Sequence, residues 1–212
     1  MTGFVLAGGK SSRMGRDKAL LELEGETLVE RALAKVRAVC GEVAIAGGDQ
    51  RLERFGRVIV DERPACGPLG GIVAALEQSA SDWNLFLAVD TPFVPVSVLE
   101  ELVLRSVGST AVCVMAEAGG QVQPLCAVYS RRALPTLRAT LEAGRGKVMA
   151  AISAAGVVDI LQLPLAEWFV NLNTPEEFAR AAEGQDKPGE ADDTERKGRE
   201  GIREGRGGTP RT

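Results

Sequence analysis

The 212-residue sequence predicts a doubly wound α/β fold, in which a mostly parallel sheet lies between two layers of helices. Short apolar runs alternate with longer segments whose apolar residues recur at helical spacing. The runs are apolar on both faces, which is typical of parallel strands covered on both sides. Hydrophobic residues make up 45% of the chain and charged residues 25%, so the chain can bury a full core.

Strand and helix alternate through the first half of the chain. We predict strands at residues 2–7, 42–46, 57–60, 84–89 and 110–115, and helices at residues 27–40, 68–79 and 95–106. The first helix has the best-defined start, because Thr27 is suited to cap it and Glu30 follows three residues later.

The second half is less regular. We predict a strand at residues 125–130, helices at residues 131–142 and 147–155, and a helix at residues 175–183 that Thr174 caps. Residues 184–212 consist mainly of Gly and charged side chains, with too little apolar surface to offset the entropy of ordering. We therefore expect one domain over residues 1–183 and a disordered charged tail at residues 184–212.

Composition narrows the classes of function. The net charge of −4 gives no general reason to expect nucleic acid or a membrane surface as a partner. No run approaches the length of a membrane span, and no basic-plus-apolar leader is visible, which favours a cytoplasmic protein. The chain has no histidine, which excludes an imidazole base. The cysteines are scattered singly in or beside apolar runs, as buried reduced thiols are: Cys40, Cys66, Cys113 and Cys126.

The segment at residues 6–18 is the strongest indication of a ligand. It follows the first predicted strand, where open α/β sheets bind ligands, and Gly8-Gly9 allows close approach to the backbone. Four cations lie within nine residues of this acidic chain: Lys10, Arg13, Arg16 and Lys18. Successive backbone amides, two serine hydroxyls and these cations suit a triphosphate. A solvated basic loop is the alternative interpretation of this segment. Two familiar phosphate-binding motifs are absent from it, the P-loop GxxxxGK[ST] and the dinucleotide-binding GxGxxG.

The sequence LAGGKSSRMGRDKALL at residues 6–21 resembles the signature loop of the molybdenum cofactor guanylyltransferases, the MobA family of nucleotidyltransferases. The resemblance continues through nearly all of residues 3–183, in the family's order. Its further blocks are Val60-Asp61 followed by GPLGG at residues 67–71, AVDTPF at 88–93, QPL at 123–125 and FVNLNTPEE at 169–177.

This resemblance implies a Rossmann-like nucleotidyltransferase fold of three layers and assigns roles to the matching residues. The nucleotide would lie on the backbone of Leu6, Ala7, Gly8 and Gly9. Arg13 and Lys18 would face its triphosphate, Asp61 would contact the guanosine, and Asp90 would bind Mg²⁺. The chain has Ala46-Gly47-Gly48 where many relatives have Asn, so one contact to the nucleoside is missing or replaced.

Some of these residues can also be argued from their own chemistry. Asp90 ends a buried apolar strand, where an unpaired carboxylate is costly and Mg²⁺ would offset the cost. A helix cap or a salt bridge is the alternative for Asp90, and a cap or turn role is the alternative for Asp61. The resemblance implies that Asn171 and Asn173 lie on the pterin side of the cleft, although turn formation also explains them. Arg145 and Lys147 suit either the pterin phosphate or a solvated turn.

The expected reaction transfers GMP from GTP to the terminal phosphate of molybdenum-molybdopterin and releases pyrophosphate. The acceptor phosphate is already an anion, so the reaction needs no general base. The alternatives are the cytidylyltransferase branch, whose loop usually reads LAAG, a sugar-phosphate nucleotidyltransferase, and a non-catalytic nucleotide-binding protein. Expected partners are the two substrates and, transiently, other enzymes of molybdenum cofactor synthesis.

Overall fold

A computed structural model describes residues 1–8, 17–61 and 67–183 of the chain. Its strands are β1 Thr2–Leu6, β2 Glu22–Leu23, β3 Glu26–Thr27, β4 Glu42–Ala46, β5 Val58–Ile59, β6 Trp83–Ala88, β7 Cys113–Ala118, β8 Gln121–Ser130 and β9 Val158–Leu163. Seven of them form one sheet in the order β5-β4-β1-β6-β8-β7-β9, while β2 and β3 form a separate small hairpin. Only β8 runs antiparallel to its neighbours in the large sheet.

Helices cover both faces of this sheet, which confirms the predicted three-layer α/β fold. The α-helices are α1 Leu28–Val39, α2 Pro68–Gln78, α3 Val96–Ser106, α4 Leu134–Glu142, α5 Val148–Ala155 and α6 Pro175–Ala182. Short 3₁₀ helices lie at Lys18–Leu20, Gln50–Phe55, Arg131–Ala133 and Ala166–Phe169. Helix α1 begins as the sequence indicates, because Thr27 and Glu30 form a complete capping box.

Alternate side chains of the central strands point into two separate cores. Val5 of β1 packs with α1, α3 and α6 on one face, while Phe4 and Leu6 pack with α2, α4 and α5 on the other. On the second face the ring of Phe86 stacks on that of Phe4, with centroids 5.2 Å apart, and meets the ring of Tyr129 edge-on. Strands β1 and β6 are buried on both sides, which explains their continuous apolar sequences.

The region after α3 differs from the sequence-based expectation. Strand β7 was predicted at residues 110–115 but runs from Cys113 to Ala118, and β8 begins at Gln121 instead of residue 125. The two strands form a hairpin through Gly119-Gly120, both with positive φ, as two-residue hairpin turns require. Strand β9 was not predicted, and the helix expected from residue 131 begins as a 3₁₀ turn.

Other expectations concern the cysteines, membranes and the tail. Cys40, Cys113 and Cys126 are buried free thiols, as predicted, whereas Cys66 lies outside the described residues. In the part of the chain that the structure describes, no helix is long and apolar enough to cross a membrane. The proposed tail at residues 184–212 also lies outside the described residues, so its predicted disorder stays a prediction.

Candidate active site at the carboxyl edge of the sheet

The candidate site lies where β1, β4 and β6 end. These three strands are parallel neighbours, so the segments that follow them meet at one edge of the sheet. The amide of Ala7 donates to the carbonyl of Ala46 at 3.0 Å, and the amide of Val89 donates to the carbonyl of Leu6 at 3.1 Å. The buried backbone of Leu6 is therefore held from both sides just before the glycine-rich segment begins.

Glycines allow the chain segments to approach closely at this edge. A Cβ atom on Gly8 would lie 2.5 Å from the carbonyl oxygen of Gly47, and one on Gly47 would lie 3.2 Å from the Cα of Gly8. Gly47 also has a φ of 75°, a backbone conformation that residues with a side chain rarely adopt. A Cβ on Gly71, in the first turn of α2, would lie 3.7 Å from the Cα of Gly47. These glycines let three chain segments pack backbone to backbone, and the exposed Gly8 and half-buried Gly47 form the accessible part of this glycine surface.

Lys18, Asp90 and Asn173 come together beside this surface from three distant parts of the chain. The Nζ atom of Lys18 lies 3.3 Å from Oδ2 of Asp90 and donates to Oδ1 of Asn173 at 2.8 Å. The side chains of Lys18 and Asp90 are 15% and 25% exposed. The salt bridge that the sequence left open as the alternative for Asp90 is present, with Lys18 as its partner, so burial of this carboxylate does not by itself call for a metal.

Two segments fix the turn that carries Asp90. The hydroxyl of Thr91 donates to the carbonyl of Ala88 at 3.2 Å. The carbonyl of Asp90 accepts the amide of Leu172 at 3.0 Å, which connects this turn to the segment before α6. That segment leads directly into the capping box of α6, formed by Thr174 and Glu177. The carboxylate of Asp90 is thus presented from a backbone that is hydrogen-bonded at both ends of its turn.

The start of the Lys18–Leu20 turn is tied to the segment after β4. Asp17 caps this turn by accepting the amide of Ala19 at 3.1 Å, and its other carboxylate oxygen accepts from Arg51 at 3.0 Å. Arg51 also pairs with Asp49. Arg51 was not predicted as a site residue; the sequence marks it only as a charged residue shortly after the Gly47-Gly48 end of a strand. The contact brings a further cation close to the predicted phosphate-binding segment.

The oxygen donors at this edge fit one Mg²⁺ bound jointly by protein and phosphate. Among the described residues, no group of three or more His, Cys, Asp or Glu side chains could enclose a metal ion. Mg²⁺ in phosphoryl-transfer sites typically uses one or two carboxylates and completes its shell with phosphate oxygens and water. The partly exposed carboxylate of Asp90, which already faces a cationic group, suits that arrangement.

The remaining predicted site residues lie apart from Lys18, Asp90 and Asn173 or outside the described chain. Asp61 follows β5 and packs so closely over Gly70 that a Cβ atom there would clash with its carboxylate. It also lines a shallow cleft of about 110 Å³ beside α2, which includes Val60 and Val73. Arg145 and Lys147 are exposed in the turn between α4 and α5. Gly9 and Arg13 lie outside the described residues.

Comparison with known proteins gives consistent matches. The family model described as the MobA-like NTP transferase domain matches residues 3–157. The molybdenum cofactor guanylyltransferase of Cereibacter sphaeroides is 39% identical over 186 residues, which cover 84% of this chain and 94% of that protein. The protein of the same name from Vibrio parahaemolyticus is 34% identical over 182 residues, which cover 83% of this chain and 92% of that protein.

Solved structures extend the comparison to the fold. The structure of molybdopterin-guanine dinucleotide biosynthesis protein A from Archaeoglobus fulgidus has a TM-score of 0.71 and 25% identity, and the match covers 86% of this chain and 97% of that one. A structure of CMP:2-keto-3-deoxy-manno-octonic acid synthetase complexed with CTP has a TM-score of 0.69 at 14% identity, covering 86% of this chain and 96% of that one. This second likeness concerns the fold alone.

Proposed function

Because this chain belongs to the MobA-like NTP transferase family, we propose that it is a molybdenum cofactor guanylyltransferase. It transfers GMP from GTP to the terminal phosphate of molybdenum-molybdopterin, forms the guanine dinucleotide form of the cofactor, and releases pyrophosphate. The structural observation that carries this proposal is the meeting of Lys18, Asp90 and Asn173 beside the glycine surface. One cation, one carboxylate and one amide there suit two phosphorylated substrates and a metal.

The proposed reaction is a displacement at phosphorus. An oxygen of the acceptor phosphate forms a bond to the α-phosphorus of GTP, and the bond from that phosphorus to the α–β bridging oxygen breaks. Pyrophosphate leaves with that electron pair. The acceptor is an anion at neutral pH, so no base has to remove a proton, in keeping with the absence of histidine. The protein contributes orientation and charge stabilisation.

In this proposal the backbone of residues 6–9 binds the nucleotide, and Lys18 and Arg13 bind its triphosphate. Lys18 stabilises the charge that develops on pyrophosphate, and Asn173 limits the directions in which its ammonium can point. Asp90 is the protein ligand for Mg²⁺, and this ion supplies neutralisation of the phosphate charge when it is bound. The ion pair of Asp90 with Lys18 holds both side chains at this edge of the sheet.

We also propose which groups of the protein recognise guanine. Guanine offers N–H donors at N1 and N2, and a carboxylate or main-chain carbonyls can accept them. The Asp61 carboxylate beside Gly70 and the carbonyls of residues 6–8 are the proposed acceptors. The segment Ala46-Gly47-Gly48 offers no polar side chain at this edge, so in this proposal the main chain supplies more of the recognition. The acceptor would bind near Asn171 and Asn173, with Arg145 and Lys147 as proposed partners of its phosphate.

The test is pyrophosphate release by the full chain with GTP, CTP or ATP, with and without molybdenum-molybdopterin and Mg²⁺. We expect release with GTP only when acceptor and Mg²⁺ are both present, together with a product whose mass is that of the dinucleotide. Equal release with CTP, or none with GTP, would contradict the proposal. We expect this reaction to take place in the cytoplasm, where nucleoside triphosphates are made, with transient handover of the product to molybdenum enzymes.

A further inference from the structure

Lys35 of α1 makes an unusual set of contacts close to the candidate site. Its ammonium donates to the main-chain carbonyl of Pro92, and to that of Val94 at 2.7 Å. Both carbonyls belong to the segment that joins β6 to α3, which also contains Asp90. In the described part of the chain Lys35 forms no ion pair, so its charge is balanced by carbonyl dipoles alone.

The surroundings of Lys35 make a charged side chain costly at this position. Burial, with a smaller contribution from the guanidinium of Arg31, lowers the pKa of Lys35 from 10.5 to about 8. The nearby Cys126 thiol does not offer a counter-charge, because burial raises its pKa to about 12. An apolar side chain would be easier to accommodate among the buried residues of α1. The position therefore calls for an explanation based on what the ammonium does.

The ammonium supplies hydrogen-bond donors that the segment itself lacks. Pro92 and Pro95 carry no amide hydrogen. In the described chain, no turn or loop amide donates to the carbonyl of Pro92 or Val94. The beginning of the same turn is held by other donors. The Thr91 hydroxyl bonds the carbonyl of Ala88, and the Leu172 amide bonds the carbonyl of Asp90. Within the segment, the amide of Val94 donates to the carbonyl of Thr91 at 3.4 Å, and Lys35 adds the bonds to the carbonyls of Pro92 and Val94 that tie the second half of the turn to α1.

We propose that Lys35 is a positioning residue of the transfer site: by holding residues 92–94, it fixes the turn of Asp90 and so sets how well the Asp90 carboxylate binds a divalent cation. This inference rests on the proposed function, since it concerns the metal carboxylate of that reaction. Groups that orient a metal ligand typically change metal affinity or activity about 10–100-fold when they are removed. Lys35 acts through the main chain and does not itself contact substrate or metal.

The test uses three variants of the full chain. Lys35→Met keeps the length and apolar stem of the side chain but removes its donors, while Lys35→Arg keeps a charge and several donors. Arg37→Met is the matched control, because Arg37 lies on the same helix and donates to the carbonyl of Phe55 at 3.0 Å, in another loop. For each protein, GTP binding is titrated with Mg²⁺ by calorimetry, and thermal unfolding is recorded without ligands.

We expect Lys35→Met to raise the half-saturating Mg²⁺ concentration about tenfold or more. Lys35→Arg and Arg37→Met should stay near the wild-type value, and metal-free GTP binding should change little in all three. A Lys35→Met protein that melts lower but keeps the wild-type Mg²⁺ dependence would overturn the inference, since Lys35 would then only stabilise the fold. If Lys35→Met does not fold, Lys35→Gln, which keeps one amide donor group, is judged by the same Mg²⁺ criterion.

The same titration separates this inference from the proposed function. A wild-type chain that binds GTP without any Mg²⁺ dependence would contradict the metal role of Asp90, and the inference would fall with it. A wild-type chain with clear Mg²⁺ dependence, combined with an unchanged dependence in Lys35→Met, would contradict the role of Lys35 alone.

Discussion

Replacing Asp90 with Asn separates the structural role of this residue from its proposed catalytic one. Asn keeps the size and an acceptor oxygen, but it removes the charge opposite Lys18. At the observed 3.3 Å, the attraction between the two charges is about 5 kcal/mol at an effective dielectric of about 20, before any cost of desolvation. The side chains are 15% and 25% exposed and Lys18 keeps Asn173 as a partner, so we expect a net loss of about 1–2 kcal/mol in the free energy of unfolding.

That loss is too small to explain a large fall in turnover. A domain of this size should melt roughly 3–6 °C lower, and essentially all molecules would stay folded at 25 °C. If Asp90 is the metal ligand, turnover should fall about 10²-fold or more, which corresponds to about 2.7 kcal/mol of lost transition-state stabilisation. A fall of that size with so small a loss of stability would indicate that Asp90 serves the reaction and not only the fold.

The assay is pyrophosphate release with GTP and molybdenum-molybdopterin over a range of Mg²⁺, alongside thermal unfolding of the same samples. Asp159→Asn is the matched control, because Asp159 pairs with Arg105 at 2.9 Å on an exposed part of β9. The control should change stability little, because exposed ion pairs contribute little, and it should leave turnover intact. An Asp90→Asn enzyme with near-wild-type turnover at saturating Mg²⁺ would refute the assignment of the metal to Asp90.

Three further predictions follow from the same contacts. Lys18→Ala should weaken GTP binding about tenfold as well as slow turnover, since it removes a proposed phosphate contact; calorimetry that detects no change in affinity would speak against that contact. Gly47→Ala should destabilise the fold by about 1–3 kcal/mol and also weaken GTP binding. Gly108 has nearly the same φ but no close neighbour, so Gly108→Ala should destabilise the fold without affecting GTP binding. Urea unfolding and binding titrations can check both results. Between about pH 8 and 10.5, the unfolded chain binds more protons at Lys35 than the folded chain does. The contribution of Lys35 to the free energy of unfolding should therefore rise with pH in that window, and this rise should be absent in Lys35→Met. Urea unfolding on either side of pH 8 would reveal the difference.

Local sequence signals predicted the elements that are buried on both faces. The segment at residues 42–46 matches β4 at both ends, and Thr27 and Glu30 marked the start of α1. Strand β9 was missed because just one of its residues, Leu161, is buried, so it lacks the continuous apolar run of a central strand. The β7–β8 hairpin could have been predicted, because Gly119-Gly120 is a typical two-residue hairpin turn.

The site was predictable only in part. Strand ends place Asp90 and the glycine-rich segment at one edge of the sheet, and the sequence located both. Contacts between distant residues leave no local pattern, so the partnership of Lys18 with Asp90, 72 residues away, was not foreseen. The role of Lys35 could not be predicted from the sequence for a different reason. Helical periodicity places Lys35 on a partly polar stripe of α1, where a lysine usually needs no special explanation.

The contact between Lys18 and Asn173 gives a physical reason why both ends of the domain resemble the same family. Lys18 follows the segment LAGGKSSRMGRD, whereas Asn173 lies 155 residues later in VNLNTPEE. The amide of Leu172 bonds the carbonyl of Asp90, and the side chain of Asn173 then reaches Lys18, so the later segment completes the surroundings of both charged groups. A chain ending before Leu172 would still contain every strand of the large sheet, but its Lys18 and Asp90 would lack these partners. In the proposed reaction, the segment that leads into α6 is therefore part of the site as much as the first loop.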